Sequence, residues 1–341
     1  MFHCSAVGNI RPVSTSDQTI LVTGGAGYIG SHLTRLLIEA GYRVRVLDSL
    51  CYGGESLLPL QSSDRFELIN ADIRSREAVV SALHGVTGVV HLAAIVGDPS
   101  CASQPELAKE VNKVAAEMLA DEAIKAGVSR FVFASTCSNY GKMADHNGYV
   151  DEDSPLAPIS LYAELKVGFE TYLTERTGDN LAPVCLRFAT AFGLSPRMRF
   201  DLTVNEFTRE IVLGRRLEVF GEEFWRPYCH ASDLARACVL ALQADRESVA
   251  GKAFNVGESH GNFQKLTLVK IILETLGHGY ELVRFVSRKE DPRDYRVKFS
   301  KIYKTLGFTV SRTVPQGVRE IIDALESKQF VDPDDPKYRN V

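Results

Sequence analysis

The stretch Thr23-Gly24-Gly25-Ala26-Gly27-Tyr28-Ile29-Gly30 decides the fold. An apolar run, Thr19-Ile20-Leu21-Val22, precedes it, and Ser31-His32-Leu33-Thr34-Arg35-Leu36-Leu37-Ile38, apolar at helical spacing, follows it. Strand, glycine turn and helix succeed one another. The glycines at 24, 27 and 30 keep a G-x-x-G-x-x-G spacing, which lets backbone approach a diphosphate and leaves helix-start N–H groups pointing at it. A tightly packed strand–helix junction uses glycines too, so the turn is weighed with its surroundings. The next apolar run, Tyr42-Arg43-Val44-Arg45-Val46-Leu47, ends at Asp48, eighteen residues beyond Gly30, where an acid would bind an adenosine ribose diol.

At 341 residues the chain is long enough for one large domain or two moderate ones, with ample apolar content for a core. Its 39 basic and 43 acidic residues leave a net charge of −4, and no dense Lys/Arg run suggests a nucleic-acid groove or a membrane surface. Seven cysteines are scattered without C-x-x-C or Cys/His spacing, so no metal site is expected, and reduced thiols in a cytoplasm fit best. Residues 1–17 read as a loose lead-in with no apolar segment like that of a signal peptide. No apolar run approaches the roughly 20 residues that span a bilayer.

Beyond Asp48 a loop carries Gly53-Gly54 and Pro59, and then strands and helices alternate. Phe66 to Asn70 is a strand, Arg76 to Leu83 a helix, and Gly88 to Leu92 a buried strand. Pro105 to Ala126 is a long helix, and Arg130 to Ser135 a strand. Ser160 caps a helix from Leu161 to Thr177, and Ala182 to Phe188 is another strand. This alternation predicts an α/β protein, a doubly wound parallel-sheet Rossmann fold, with ligands at the carboxyl ends of the strands. After Gly193 the rhythm changes: a Pro/Arg stretch, a helix near Val204 to Leu213, then Val219-Phe220-Gly221. It returns with a helix from Ser232 to Gln243 and a strand at Ala253 to Val256, and is mixed from about Gly261. We expect a cofactor domain from 18–190 plus 228–258, and a smaller mixed substrate-binding lid from 191–227 plus 259–341.

Tyr162-Ala163-Glu164-Leu165-Lys166 places a phenol and an ammonium four residues apart on one helix face. A free phenol has a pKa of about 10. A neighbouring Lys⁺ and an oxidised nicotinamide would lower it by favouring the phenolate, which can then take a hydroxyl proton as hydride leaves the same carbon. Such pairs are usually surface decoration. Here the pair follows a nucleotide-type sheet and Ser135-Thr136-Cys137.

With these residues the chain resembles the extended short-chain dehydrogenase/reductase family, the NAD-dependent nucleotide-sugar epimerases and dehydratases. The resemblance runs over nearly all the chain after residue 18. It rests on the glycine turn, Asp48, Asp72-Ile73, His91-Leu92-Ala93-Ala94, Asn112, Ser135-Thr136, Tyr140-Gly141, Tyr162 with Lys166, Leu186-Arg187-Phe188, and Arg226 before His230-Ala231-Ser232-Asp233. It implies NAD held by Gly24, Gly27, Tyr28, Ile29, Gly30, Asp48, Ala93, Ala94 and Asn112. Asp72 and Ile73 would contact the adenine, and Lys166 the nicotinamide ribose. Thr136 would bond the reacting sugar oxygen, although a strand-end Thr also satisfies backbone locally. Arg226 would meet the substrate's diphosphate, as a planar guanidinium suits, with Arg288 or Arg293 as a second arginine and Asn205 as a further contact. Arg197 and Arg199 face an anionic group or solvent. The resemblance also implies a homodimer through two helices of the cofactor domain.

Two departures matter. Thr190 stands where related enzymes often carry Asn. Nucleotide-sugar 4,6-dehydratases follow the Thr with Asp and Glu, the acid and base of water elimination, whereas Cys137 and Ser138 stand here. Cys137 could deliver a proton if its pKa were tuned, or be an inert packing residue. Nothing at 138 replaces a carboxylate base. The expected activity is therefore NAD-dependent epimerisation of a nucleotide-activated sugar at C4 through a 4-keto intermediate, with a 4-ketoreductase or an atypical dehydratase as the alternative. Asp48 favours NAD over NADP, because a carboxylate repels a 2′-phosphate.

Overall fold

The computed structural model describes residues 10–11, 18–143, 148–178, 180–286 and 294–340. Arg288 and Arg293 lie outside the described residues, as does nearly all of the lead-in. β1 (Thr19–Thr23) enters the glycine turn and α1 (Gly30–Glu39), and β2 (Arg43–Asp48) and β3 (Phe66–Asn70) follow. α2 (Arg76–Ala82) leads to β4 (Val86–His91), and α3 (Asp98–Ser103), α4 (Pro105–Lys109) and α5 (Ala116–Lys125) lead to β5 (Arg130–Thr136). α6 (Leu161–Thr174) precedes β6 (Ala182–Phe188) and β7 (Thr190–Phe192). Then come α7 (Thr203–Val212), β8 (Leu217–Phe220), β9 (Trp225–His230), α8 (Ala231–Gln243) and α9 (Arg246–Val249). β10 (Lys252–Val256), β11 (Asn262–Gln264), α10 (Lys265–Leu276), β12 (Val283–Val286), α11 (Ser300–Leu306) and α12 (Val314–Glu326) complete the order.

Seven strands form one parallel sheet in the order β10-β6-β5-β4-β1-β2-β3. The chain winds outward in one direction from β1 and in the other from β4. Their carboxyl ends therefore flank the topological switch point, where doubly wound sheets bind ligands. The sheet is buried on both faces, which is why β1, β5 and β6 read as nearly continuous apolar runs. Gly24 takes φ +75°, and a Cβ there would stand 2.7 Å from the backbone nitrogen of Ala93, so only glycine lets β1 turn against the end of β4.

The expected helix over Pro105 to Ala126 is interrupted. A π-helical turn at Glu110–Ala115 joins α4 to α5. The widened turn carries Asn112 inward, where its amide accepts from Ile95 N and donates to Ile95 O, both at 2.8 Å, fixing the loop after β4. The smaller region has a three-stranded sheet, β11-β9-β7, and a parallel pair, β12 with β8. Its core gathers Phe192, Val204, Phe207, Ile211, Leu268, Ile272 and Val318 between α7, α10 and α12. β7 and β9 straddle the two junctions with the large sheet. Asp233, in the first turn of α8, accepts from Ser311 N and Arg312 N and pairs with Arg236, tying the segment between α11 and α12 to α8.

Candidate active site

The crevice floor is the glycine turn. A Cβ on Gly27 would meet the Gly24 carbonyl alone, at 3.2 Å, so the turn's outer face leaves room for a bulky group. Asp48 closes one side: Oδ2 accepts from Ala26 N and Oδ1 from Leu50 N, both at 2.9 Å. Each carboxylate oxygen keeps a second lone pair for a ribose hydroxyl. Burial raises the Asp48 pKa against the pull of these two bonds and of Arg197. Thr23 and His91 join the ends of β1 and β4 through Oγ1···Nδ1 at 2.7 Å, and burial lowers the His91 pKa to about 3, leaving the floor neutral. Ala93 and Ala94 follow, half-buried. An open glycine face beside a carboxylate with lone pairs to spare fits a dinucleotide.

Several expected contacts are redirected. The Tyr28 phenol points into the smaller region, donating to the Gly193 carbonyl, and Ile29 packs on the core, so both serve the turn through their backbone. Asp72 is held bidentate by Arg74, while Ile73 is buried under the sheet.

The candidate reactive residues lie at the carboxyl end of β5 and the start of α6. Ser160 caps α6 by accepting from Ala163 N. One turn in, Tyr162 and Lys166 share a face, with the ammonium 5.8 Å from the phenol ring centroid. Lys166 is 5 % exposed, donates to the Ala134 carbonyl at 2.8 Å and lies over the Phe133 ring at 4.6 Å. Burial lowers its pKa to about 8, offset in part by Cys101 and Glu170. The Tyr162 pKa, expected to fall, is instead raised by burial, with Cys101, Asp98 and Tyr295 adding to the rise and Arg199 opposing it. Desolvation is the largest cause here. The phenol is neutral until a further positive charge arrives beside it.

Thr136 Oγ1 accepts from Ser138 N at 3.1 Å, the local bond a strand-end Thr makes, which leaves its hydroxyl proton to donate elsewhere. Cys137 goes the other way. Its Sγ donates to the Arg187 carbonyl inside the core, and burial raises its pKa well above the usual thiol value. The thiol is therefore placed as a packing group, not as a proton donor. Ser138 Oγ lies 3.4 Å from the Tyr295 hydroxyl.

Sequence reading missed the network beneath. Glu170, one turn after Lys166, takes a bidentate ion pair from Arg187 at 2.8 Å and accepts from Ser135 Oγ and from Asn139 Nδ2. Arg187 also donates to the Tyr140 hydroxyl, which donates to Asn255. The one signal was the helical i+4 spacing from Lys166. Both partners of Glu170 on the β5 side bracket Thr136, so the buried charge sets where that hydroxyl sits.

In β9, the Arg226 guanidinium lies 5.2 Å from the Tyr295 ring centroid and donates to the Trp225 carbonyl. Tyr295, buried and missed from the sequence, joins Arg226 to Ser138. Thr190 sits half-buried in β7. Asn205 departs from expectation: its Oδ1 accepts from Gly193 N, and its Nδ2 donates to Tyr28 Oη and Arg199 O. Every polar atom of this fully buried amide is spent on protein, so it pins the smaller region to the glycine turn. Arg199 pairs with Asp201, and Arg197 lies 4.4 Å from the Tyr52 ring, just past Asp48. Both arginines are buried, which excludes the solvated reading.

Among the described residues no cluster of His, Cys, Asp and Glu has the arrangement of a metal site, and no helix is long and apolar enough to cross a membrane. Residues 20–257 match the NAD dependent epimerase/dehydratase family. The chain is 30 % identical over 316 residues to the dTDP-glucose 4,6-dehydratase of Streptomyces niveus, covering 89 % of this chain and 91 % of that one. It is likewise 30 % identical over 313 residues to the UDP-glucose 4-epimerase of Halalkalibacterium halodurans, covering 85 % and 90 %. Among solved structures, the UDP-glucose 4-epimerase of Thermotoga maritima, in complex with UDP-glucose, superposes with a TM-score of 0.82 at 28 % identity over 92 % of this chain and all of that one. The dTDP-glucose 4,6-dehydratase of Streptomyces venezuelae, with NAD bound, gives 0.81 at 29 % over 92 % and 98 %. The glycine turn, Asp48 and the Tyr162–Lys166 pair thus stand in a Rossmann-fold enzyme that uses NAD, and the chain belongs to the NAD-dependent epimerase/dehydratase family.

Proposed function

We propose that the protein is an epimerase of a nucleotide-activated sugar, acting at C4 through a transient 4-keto sugar. One observation carries the choice against a dehydratase: at the two positions after Thr136 it offers a core-facing thiol with a raised pKa and a serine hydroxyl. Elimination needs a base for the C5 proton and an acid for the C6 hydroxyl, and neither group serves unaided. NAD, when bound, would supply the hydride acceptor for the sugar carbon and, once reduced, the hydride donor to the other face. Tyr162 takes the 4-hydroxyl proton and gives it back, with Lys166 beside it to favour the phenolate. Thr136 donates to the reacting oxygen, and Glu170 holds that hydroxyl in place through Ser135 and Asn139. Arg226 and Tyr295 receive the substrate's diphosphate end, and the buried site excludes water while the ketone exists.

The test follows isotopes. During turnover in deuterated water, C5 should remain protiated, and deuterium placed at C4 should stay at C4. Label entering at C5, or the C4 label arriving at C6, would establish elimination and overturn the reading. Net consumption of a reduced cofactor with one sugar product would establish the ketoreductase instead.

A further inference from the structure

Helix α6 grips the end of β5 with two side chains of one face. The Lys166 ammonium donates to the Ala134 carbonyl at 2.8 Å. One turn on, Glu170 accepts from the hydroxyl of Ser135, the next residue of the strand, and from Asn139 Nδ2 at 2.9 Å. Side chains four residues apart on a helix are neighbours, so the carboxylate of the second grip stands beside the ammonium of the first. Ser135 and Arg187 are register partners on β5 and β6, and Arg187 reaches the same carboxylate from β6, Nη2 to Oε2 at 2.8 Å and Nε to Oε2 at 3.1 Å. Lys166 and Glu170 are each 5 % exposed, so little water screens one from the other.

A buried ammonium gives up its proton readily, and a neutral amine beside Tyr162 favours no phenolate. Burial lowers the Lys166 pKa to about 8, opposed by Cys101 and Glu170. These two opponents differ. Cys101, in α3, acts on the ammonium only as a thiolate, and burial raises its own pKa to about 11, so near neutrality it is uncharged. The other walls bring no negative charge. From β4 comes His91, whose pKa burial lowers to about 3, and from β5 the Ala134 carbonyl and the Phe133 ring. On α6 itself the Tyr162 phenol is held neutral by burial. Arg187, from β6, is positive, with its guanidinium committed to Glu170 and to the Tyr140 hydroxyl. Among the described residues, Glu170 is therefore the negative charge that faces the ammonium.

We propose that Glu170 is a positioning residue for the reaction: its carboxylate is the counter-charge that keeps Lys166 an ammonium beside Tyr162 at neutral pH, in the same grip that fixes the end of β5. Arg187 is what allows that carboxylate to be buried, since a lone charge there would be far costlier than a paired one. The inference rests on Tyr162 and Lys166 being the reactive pair, which epimerisation, ketone reduction and elimination have in common. It therefore stands apart from the choice among those three outcomes, and its test reads a lysine proton where theirs reads a sugar.

The full-length protein, carrying isotopically labelled lysine and with NAD added, is titrated by NMR, and the Lys166 signal is the one that Lys166→Met removes. Glu170→Gln keeps the length of the side chain and removes its charge. The acid dissociation constant of Lys166 should then rise about tenfold or more, the effect of one unit charge a few ångströms away in a protein interior. Glu170→Asp keeps the charge on a shorter stem and should return the titration most of the way to the wild type, although its contacts with Ser135 and Asn139 are loosened. A residue that served the packing alone would leave the lysine proton where it was in both. If Glu170→Gln fails to fold, Glu170→Gln combined with Arg187→Met replaces the ion pair by neutral groups, a change that buried pairs tolerate. There the constant should still rise more than twofold, because Glu170 shares a helix face with Lys166 while Arg187 stands beyond it on β6. A Lys166 constant within twofold of the wild type in the variant that folds would overturn the proposal. So would a Glu170→Asp titration displaced as far as that of Glu170→Gln.

Discussion

The two ends of the crevice are built in opposite ways. At the reactive end, Glu170 and Arg187 are buried, paired and bonded to Ser135, Asn139 and Tyr140, with the Asn139 Oδ1 alone orphaned there. At the mouth, a buried guanidinium keeps an unpartnered donor and the wall is residues 336–340, held mainly through backbone atoms. A hydroxyl that must meet one sugar oxygen needs a support with a single arrangement, and charges buried in pairs supply it at a cost in desolvation. A wall held mainly through backbone atoms pairs its buried side chains less completely, as the Arg197 Nε and the Asn340 Oδ1 show.

The largest effect should come from the reactive end. Tyr162→Phe should bind cofactor and substrate yet lose roughly 10²–10⁴-fold in kcat, the usual worth of general acid–base work. Near wild-type turnover in a steady-state assay would remove the phenol from the chemistry. Next comes the support beneath it. Glu170→Ala leaves Arg187 charged and unpaired in a 6 % exposed site, which should cost about 3–5 kcal/mol in urea unfolding. Asn340→Ala at the mouth should fall within about 1 kcal/mol of the wild type in the same experiment. Equal losses at the two ends would erase the contrast between them.

What was legible follows sequence distance. The glycine turn, Asp48 and the Tyr162–Lys166 pair each lie within a short stretch of sequence, so their spacing, taken with the strand–helix alternation around them, exposes them. The support network hides although Glu170 is one turn from Lys166, because an acid on a helix reads as a solvated face until the fold brings Arg187 under it. Asn205 shows the converse: a helical amide looks the same in sequence whether it faces a ligand or, as here, Gly193, Tyr28 and Arg199. Tyr295 meets Ser138 across 157 residues, and Asn340 meets Ser100 across 240, separations at which no local pattern survives.

A third prediction probes the charge that the reactive end buries. The Lys166 pKa is about 8 in the folded protein against 10.5 ordinarily. Between those values the unfolded chain holds a proton that the folded chain has released, so this group's penalty is full below pH about 8 and vanishes by about 10.5. Lys166→Met should therefore be inactive yet more stable at pH 7, by roughly 2 kcal/mol after about 1 is lost with the bond to Ala134. The gain should shrink as pH rises through that window. A gain constant from pH 7 to 10, by thermal unfolding, would show that the ammonium is not penalised by burial.

The smallest effect belongs to the mouth, at Asp48. Its two oxygens already accept from Ala26 N and Leu50 N, so it shapes the turn and the β2 loop as well as offering lone pairs to a ribose. Asp48→Asn keeps one acceptor and sets an amide NH₂ against the other backbone donor, so NAD should bind about tenfold more weakly, the cost of one bond to a charged group. The same change removes the charge facing a 2′-phosphate, so NADP should gain while NAD loses, and the preference between them should narrow from both sides. The raised pKa adds a signature that needs no mutation. A buried carboxyl takes its proton at a higher pH than an exposed one, so the wild type's preference for NAD should soften on acidification, beginning above the ordinary aspartate range. Calorimetric titrations of both cofactors at two or three pH values read this directly. A preference that does not soften on acidification, and is equally strong in Asp48→Asn, would place the discrimination elsewhere.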